Sequence, residues 1–197
     1  MPGMQPTQTL PPDYAAYFTL DLSKSKRLVL LLNVLAIGLF IGFGYLFLRA
    51  AILILPDGYT AVQDDSSWSS LGFSLLAYLL MLVLHELVHG LFFWCFTRER
   101  PRFGFKGAYA FATAPGWYFP RRHYLAVGLA PLVLLSLLGL LILPVLPEGW
   151  LLPWLVAVAG NASGAIGDLL IVGWLLTQPE PVLIQDQGDA VTAYRPA

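Results

Sequence analysis

Leu71-Gly72-Phe73-Ser74-Leu75-Leu76-Ala77-Tyr78-Leu79-Leu80-Met81-Leu82-Val83-Leu84-His85-Glu86-Leu87-Val88-His89-Gly90-Leu91-Phe92-Phe93-Trp94-Cys95-Phe96 is an apolar run that carries a glutamate and two histidines in its second half. A helix needs about 20 mostly apolar residues to cross about 30 Å of hydrocarbon, so this stretch is long enough to span a bilayer. Three further runs qualify, Leu28 to Leu48, Tyr124 to Leu146 and Leu151 to Thr177. The expected fold is an all-α membrane protein, a bundle of about four transmembrane helices, with residues 27–178 forming one domain. Residues 1–26 read as a partly disordered cytosolic lead-in with Pro2, Pro6, Pro11 and Pro12, and residues 179–197 as a short polar cytosolic tail.

Composition agrees with a lipid environment: 57% of the 197 residues are hydrophobic and 12% are charged. A formal net charge of −1 gives no basic surface for nucleic acid, and no nucleic-acid motif is present. The placement of charge carries more information than its sum. Lys24, Lys26 and Arg27 precede the first run, Asp57, Asp64 and Asp65 follow it, and Arg98, Arg100, Arg102, Lys106, Arg121 and Arg122 follow the second, with Glu148 after the third. By the positive-inside rule both termini are cytosolic, and the first run, too long for a signal-peptide core, is expected to be retained. Cys95 is the single cysteine, so no intramolecular disulfide can form.

On a helix, residues four apart share a face, so His85 and His89 offer two imidazoles to one ion, with Glu86 beside them to deprotonate a water on that ion. Zinc requires a third protein ligand, and Asp168 is the acidic residue inside the fourth run. Buried ionisable groups cost roughly 2.5 to 3.5 kcal/mol each on the insertion scale, a penalty that one shared cation would offset. Depth agrees. With runs two and four both directed inward, His89 lies about 12 Å and Asp168 about 14 Å from the cytosolic end at about 1.5 Å per residue. Gly160, Gly164 and Gly167, with Ala159 and Ser163, are small-residue steps that permit close helix approach. Asn161, seven positions before Asp168, is placed to bind a substrate carbonyl or oxyanion, or to make an interhelical hydrogen bond.

The loop between runs two and three is too polar to cross a membrane and too aromatic for a simple linker. Phe103, Phe105, Tyr109 and Phe111 share one parity, and Pro115-Gly116 suits the centre of a type II turn ahead of Trp117-Tyr118-Phe119. The expectation is an interfacial β-hairpin, with an edge from Gly107 to Ala114 that an unwound substrate segment can pair with.

These residues resemble a known family. His85 to His89 in one span, followed two spans later by Asn161 and Asp168, looks like the core of the site-2 type intramembrane zinc proteases. More narrowly, His85-Glu86-Leu87-Val88-His89-Gly90, Tyr118-Phe119-Pro120-Arg121-Arg122, Leu129-Ala130-Pro131 and the stretch from Asn161 to Asp168 resemble the Putative zincin peptidase family of small prokaryotic membrane proteins. The resemblance implies a zinc ion (Zn2+) held by His85, His89 and Asp168, with Glu86 as the base. It also implies residence in a prokaryotic cytoplasmic membrane and hydrolysis of a peptide bond in a membrane-protein or peptide substrate. The chain departs from the site-2 pattern where Asp168 is followed by Leu169 in place of glycine. Two other readings remain open on the residues alone: a non-catalytic zinc-binding membrane scaffold or sensor, and a proton- or ion-conducting protein.

Overall fold

The structure, a computed structural model, describes residues 4–21, 24–55, 68–105, 110–147, 149–188 and 190–197. The acidic positions Asp57, Asp64, Asp65 and Glu148, and Lys106, Gly107 and Tyr109 of the aromatic loop, lie outside the described residues. In chain order the elements are β1 (Tyr14–Asp21), α1 (Lys26–Ile54), α2 (Trp68–Thr97), β2 (Arg102–Phe105), β3 (Ala110–Thr113), β4 (Tyr118–Pro120), α3 (Arg121–Ile142), α4 (Leu151–Gly164), α5 (Ile166–Leu176), β5 (Leu183–Asp186) and β6 (Ala190–Pro196). Four segments are long and apolar enough to cross a membrane: Lys26–Ile54, Leu71–Thr97, Arg121–Val145 and Leu151–Leu176. They match the four runs expected from hydropathy. The molecule is mostly helical rather than all-α, because two small antiparallel sheets accompany the helices.

The last of those four segments is two helices. Helix α4 ends at Gly164, its cap residue Ala165 returns a backbone N–H to the carbonyls of Asn161 and Ser163, and α5 begins at Ile166. Glycines on both sides of Ala165 lower the cost of ending one helix and starting another within a few residues. Asp168 consequently occupies the first turn of α5, where unpaired backbone N–H groups and the helix dipole favour a carboxylate. Asn161 and Asp168 therefore do not share one continuous helix face, as unbroken periodicity would have placed them.

Contacts divide the chain into two compact units, the cuts falling inside α1, α2 and α3 and just after the first residue of α5. The unit comprising Leu32–His85 and Pro131–Ile166 is helical and packs through small residues. A Cβ on Gly160 would fall 2.5 Å from the Tyr78 ring, and one on Gly139 would fall 2.6 Å from Val158. The small-residue reading of the fourth run holds at Gly160 but not at Gly164 or Gly167, where a Cβ would meet nothing within 4 Å.

The second unit comprises Met1–Leu31, Glu86–Ala130 and Gly167–Ala197, and holds both sheets. Strands β2 and β3 form the expected antiparallel hairpin, with Phe103 opposite Ala112 and Gly104 opposite Phe111. The Pro115-Gly116 turn is also present: Gly116 has φ +80°, a value that favours glycine, and Trp117 N–H donates to Ala114 O at 3.3 Å. The terminal segments, to which sequence reasoning assigned no strand, supply β1, β5 and β6 of a four-stranded sheet in the order β1-β6-β5-β4, and β4 comes from the end of the aromatic loop. Tyr14 pairs with Pro196 and Asp21 with Ala190, across nearly the whole chain length. The core of this unit joins Phe93 of α2, Phe119 of β4, Tyr124 and Val127 of α3, Leu175 of α5, and Ile184 and Ala193 of the sheet.

Candidate metal centre

Burial brings the two histidines under tight control. His85 and His89, one turn apart on α2, are 7% and 8% exposed. The amide of Asn161 sends its Nδ2 to Pro131 O at 3.3 Å, so the atom it turns to His85 is the acceptor Oδ1, at 2.9 Å from His85 Nδ1. A nitrogen facing an acceptor must carry the proton, which leaves the lone pair of His85 on Nε2. The same logic holds at His89, whose Nδ1 lies 3.0 Å from the Val127 carbonyl and must donate to it. Its Nε2 faces Asp168 Oδ2 at 3.4 Å. Histidine ligands of metals are commonly fixed in this way, by a carbonyl or amide acceptor on the far ring nitrogen.

His85, His89 and Asp168 each offer one ligand atom, and these atoms lie within 4.8 Å of one another. The donor set fits zinc. Two donors each about 2.1 Å from a tetrahedral ion stand about 3.4 Å apart, the separation between His89 Nε2 and Asp168 Oδ2. Two neutral imidazoles and one carboxylate leave a fourth tetrahedral position for water or substrate. Glu86 follows His85 directly on α2 and is half-buried. Of the residues singled out from sequence, His85, His89 and Asp168 are thus brought together. Asn161, 1% exposed, has both ends of its amide engaged by protein groups.

Close packing continues around this helix. A Cβ on Gly90, the residue after His89, would fall 2.4 Å from the Phe103 ring, so the absence of a side chain there lets the hairpin rest against α2. Phe111 lies over Gly104 across the hairpin and over Gly188 in the turn after β5, with ring carbons 2.3 Å and 2.5 Å from where a Cβ would sit.

A further buried carboxyl was not singled out from sequence. Asp186, at the end of β5, is 9% exposed. The Tyr124 hydroxyl donates to its Oδ2 at 2.6 Å, Gly188 N–H donates to its Oδ1 at 2.7 Å, and the Thr113 hydroxyl donates to its carbonyl at 2.7 Å. Burial pushes this carboxyl above its ordinary range, an effect these hydrogen bonds oppose, and His89 is close enough to act on it electrostatically. Its trace in the sequence is Asp186-Gln187-Gly188, a turn signal with no mark of proximity to the histidines.

Membrane-length helices, two histidines one turn apart on α2 and a carboxylate on α5 define a class, that of helical proteins with a donor set that could hold one metal ion. Within that class, residues 78–183 of the 197 match the family described as Putative zincin peptidase, and with more than half of its length matched the chain belongs to that family. The matched stretch includes His85, Glu86, His89, Asn161 and Asp168. No curated protein and no solved structure matches the chain.

Proposed function

We propose that this protein is an intramembrane zinc metallopeptidase of the site-2 general type, with His85, His89 and Asp168 as zinc ligands and Glu86 as the catalytic base. The observation that carries the reading is the convergence of the three ligand atoms within 4.8 Å on helices of membrane length. When bound, zinc would supply Lewis acidity and lower the pKa of water toward about 7. The Glu86 carboxylate takes the proton of the attacking water and returns it to the departing amine nitrogen. Asn161 acts through His85: its Oδ1 holds the ring so that Nε2 is presented to the metal, a role that accounts for both of its hydrogen bonds better than direct contact with an oxyanion. A helical substrate has its carbonyls hydrogen-bonded, so it must unwind, and the β2–β3 hairpin offers an extended strand to pair with it.

The test uses full-length protein in detergent, with metal content measured for wild type, Glu86→Gln and Asp168→Ala and folding checked by circular dichroism. Wild type and Glu86→Gln are expected to hold about one zinc per chain and folded Asp168→Ala markedly less. In vesicles carrying a fluorogenic transmembrane peptide library, wild type is expected to cleave and Glu86→Gln to be inert. A folded, metal-replete wild type without zinc overturns the reading. Zinc binding with equal cellular function in wild type and Glu86→Gln replaces it with a non-catalytic scaffold.

A further inference from the structure

Helix α3 contains Pro131 in its interior, eleven residues from its last residue Ile142. An interior proline removes one helical hydrogen bond, because it has no N–H to give to the carbonyl four residues earlier. For Pro131 that carbonyl belongs to Val127. A buried carbonyl without a partner is costly, so an acceptor released inside a helix must find another donor. Val127 is 2% exposed, and the donor at its carbonyl is His89 Nδ1, at 3.0 Å. The carbonyl of Pro131 itself accepts from Asn161 Nδ2 at 3.3 Å, and Asn161 Oδ1 in turn receives His85 Nδ1 at 2.9 Å.

We propose that Pro131 is a positioning residue of the metal centre: by withholding its N–H it frees the Val127 carbonyl to hold His89 as the Nδ1–H tautomer with Nε2 presented to the ion. The metal consequence rests on the reading of His85, His89 and Asp168 as ligands; the tautomer consequence does not. A hydrogen bond from His89 to a carbonyl already used by the helix would be shared and weaker, and the ring would be less constrained about χ2. Partners of this kind are worth 10- to 100-fold in metal affinity. The same helical turn reaches the other histidine through Asn161, so one break in the hydrogen-bond ladder of α3 serves both imidazoles.

The experiment compares wild type with Pro131→Ala and with a chain carrying an α-hydroxy acid at position 131. The hydroxy acid forms a backbone ester, which lacks both the N–H and the ring. Alanine is a far better helix former than proline, so Pro131→Ala is expected to fold. Its restored N–H competes for Val127 O. The first readout is the 15N spectrum of histidine-labelled, metal-free protein at a pH alkaline enough for the His89 ring to be neutral, where wild type and the ester are expected to show His89 protonated at Nδ1 and Pro131→Ala to show a mixture of tautomers. The second is zinc affinity by chelator competition, expected to fall about tenfold in Pro131→Ala and to return toward wild type in the ester. Wild-type spectra and affinity in folded Pro131→Ala would overturn the proposal, as would equal loss in both variants, which would assign the effect to the ring. Should wild type bind no zinc, the ligand reading fails while the 15N comparison still decides the role of Pro131.

Discussion

Helix α1 buries three of its 29 residues, Leu32, Phe47 and Ala51, whereas α4 buries ten of its 14. Both are predominantly apolar, and α1 alone, like α4 continued by α5, is long enough to cross a membrane. What separates them is side-chain size and polarity. Around α1 run Leu30, Leu31, Val34, Ile37, Ile41 and Leu46, all well exposed. Buried positions of α4 include Ala157, Ala159, Gly160, Asn161, Ala162 and Ser163. Lipid tails are as apolar as leucine, so burying leucine against another helix gains little in a bilayer, and close backbone approach together with hydrogen bonds decides which helix is central. Helix α4 has both, a glycine under Tyr78 and an amide joined to His85 and Pro131.

The largest effect expected from this contrast is at Gly160. A Cβ there would stand 2.5 Å and 2.6 Å from two ring carbons of Tyr78, so Gly160→Leu must displace the ring or separate the helices. Overpacking of this kind costs about 1 to 3 kcal/mol. Thermal unfolding in detergent, followed by tryptophan fluorescence, should show a clear fall in midpoint, and an unchanged midpoint would break the claim that α4 is central through tight packing. A smaller effect is expected at Asn161. Interhelical hydrogen bonds in membranes average about 0.6 kcal/mol and reach about 1.7, so Asn161→Ala should lower stability within that range while reducing zinc affinity roughly tenfold through the loss of its hold on His85. Equal zinc affinity in the two proteins, measured by chelator competition, would leave Asn161 a packing residue.

Much of this arrangement was legible in the sequence, for reasons that differ by element. The four spans were legible because hydropathy depends on composition alone, and the histidines and Glu86 because charge inside an apolar run is too costly to be idle. Asp168 stood out as the acidic residue of the fourth run, and the hairpin was legible from side-chain alternation and the Pro115-Gly116 turn. The terminal sheet was not legible. Its pairing of Tyr14 with Pro196 depends on a register between chain ends, which no local pattern encodes. The break at Ala165 was hidden because glycine is compatible with packing, with capping and with a bend, and the periodicity of the fourth run does not choose among them. The role of Asn161 was hidden for a related reason: a face can be counted along one helix, but its partner, here His85 on α2, is set by tertiary packing.

The smallest effect sharpens the comparison most, because it tests α1 where hydropathy treats it as the equal of α4. A Cβ on Gly42 would meet nothing within 4 Å, in contrast to Gly160. Gly42→Leu therefore adds a side chain to an open face, among neighbours such as Ile41 and Leu46 that are already exposed. Substitutions away from packed features stay within about 0.5 kcal/mol, and leucine is the better helix former in an exposed helix interior, so the unfolding midpoint should hold or rise slightly. A fall comparable to that of Gly160→Leu would show that this face of α1 is covered in the folded protein by something other than detergent. A midpoint that fell only at high protein concentration would identify the cover as a second copy of the chain. Wild-type behaviour would leave α1 as a span whose outward face touches only lipid, and would confine the packing that holds the histidines to the helices that carry small residues.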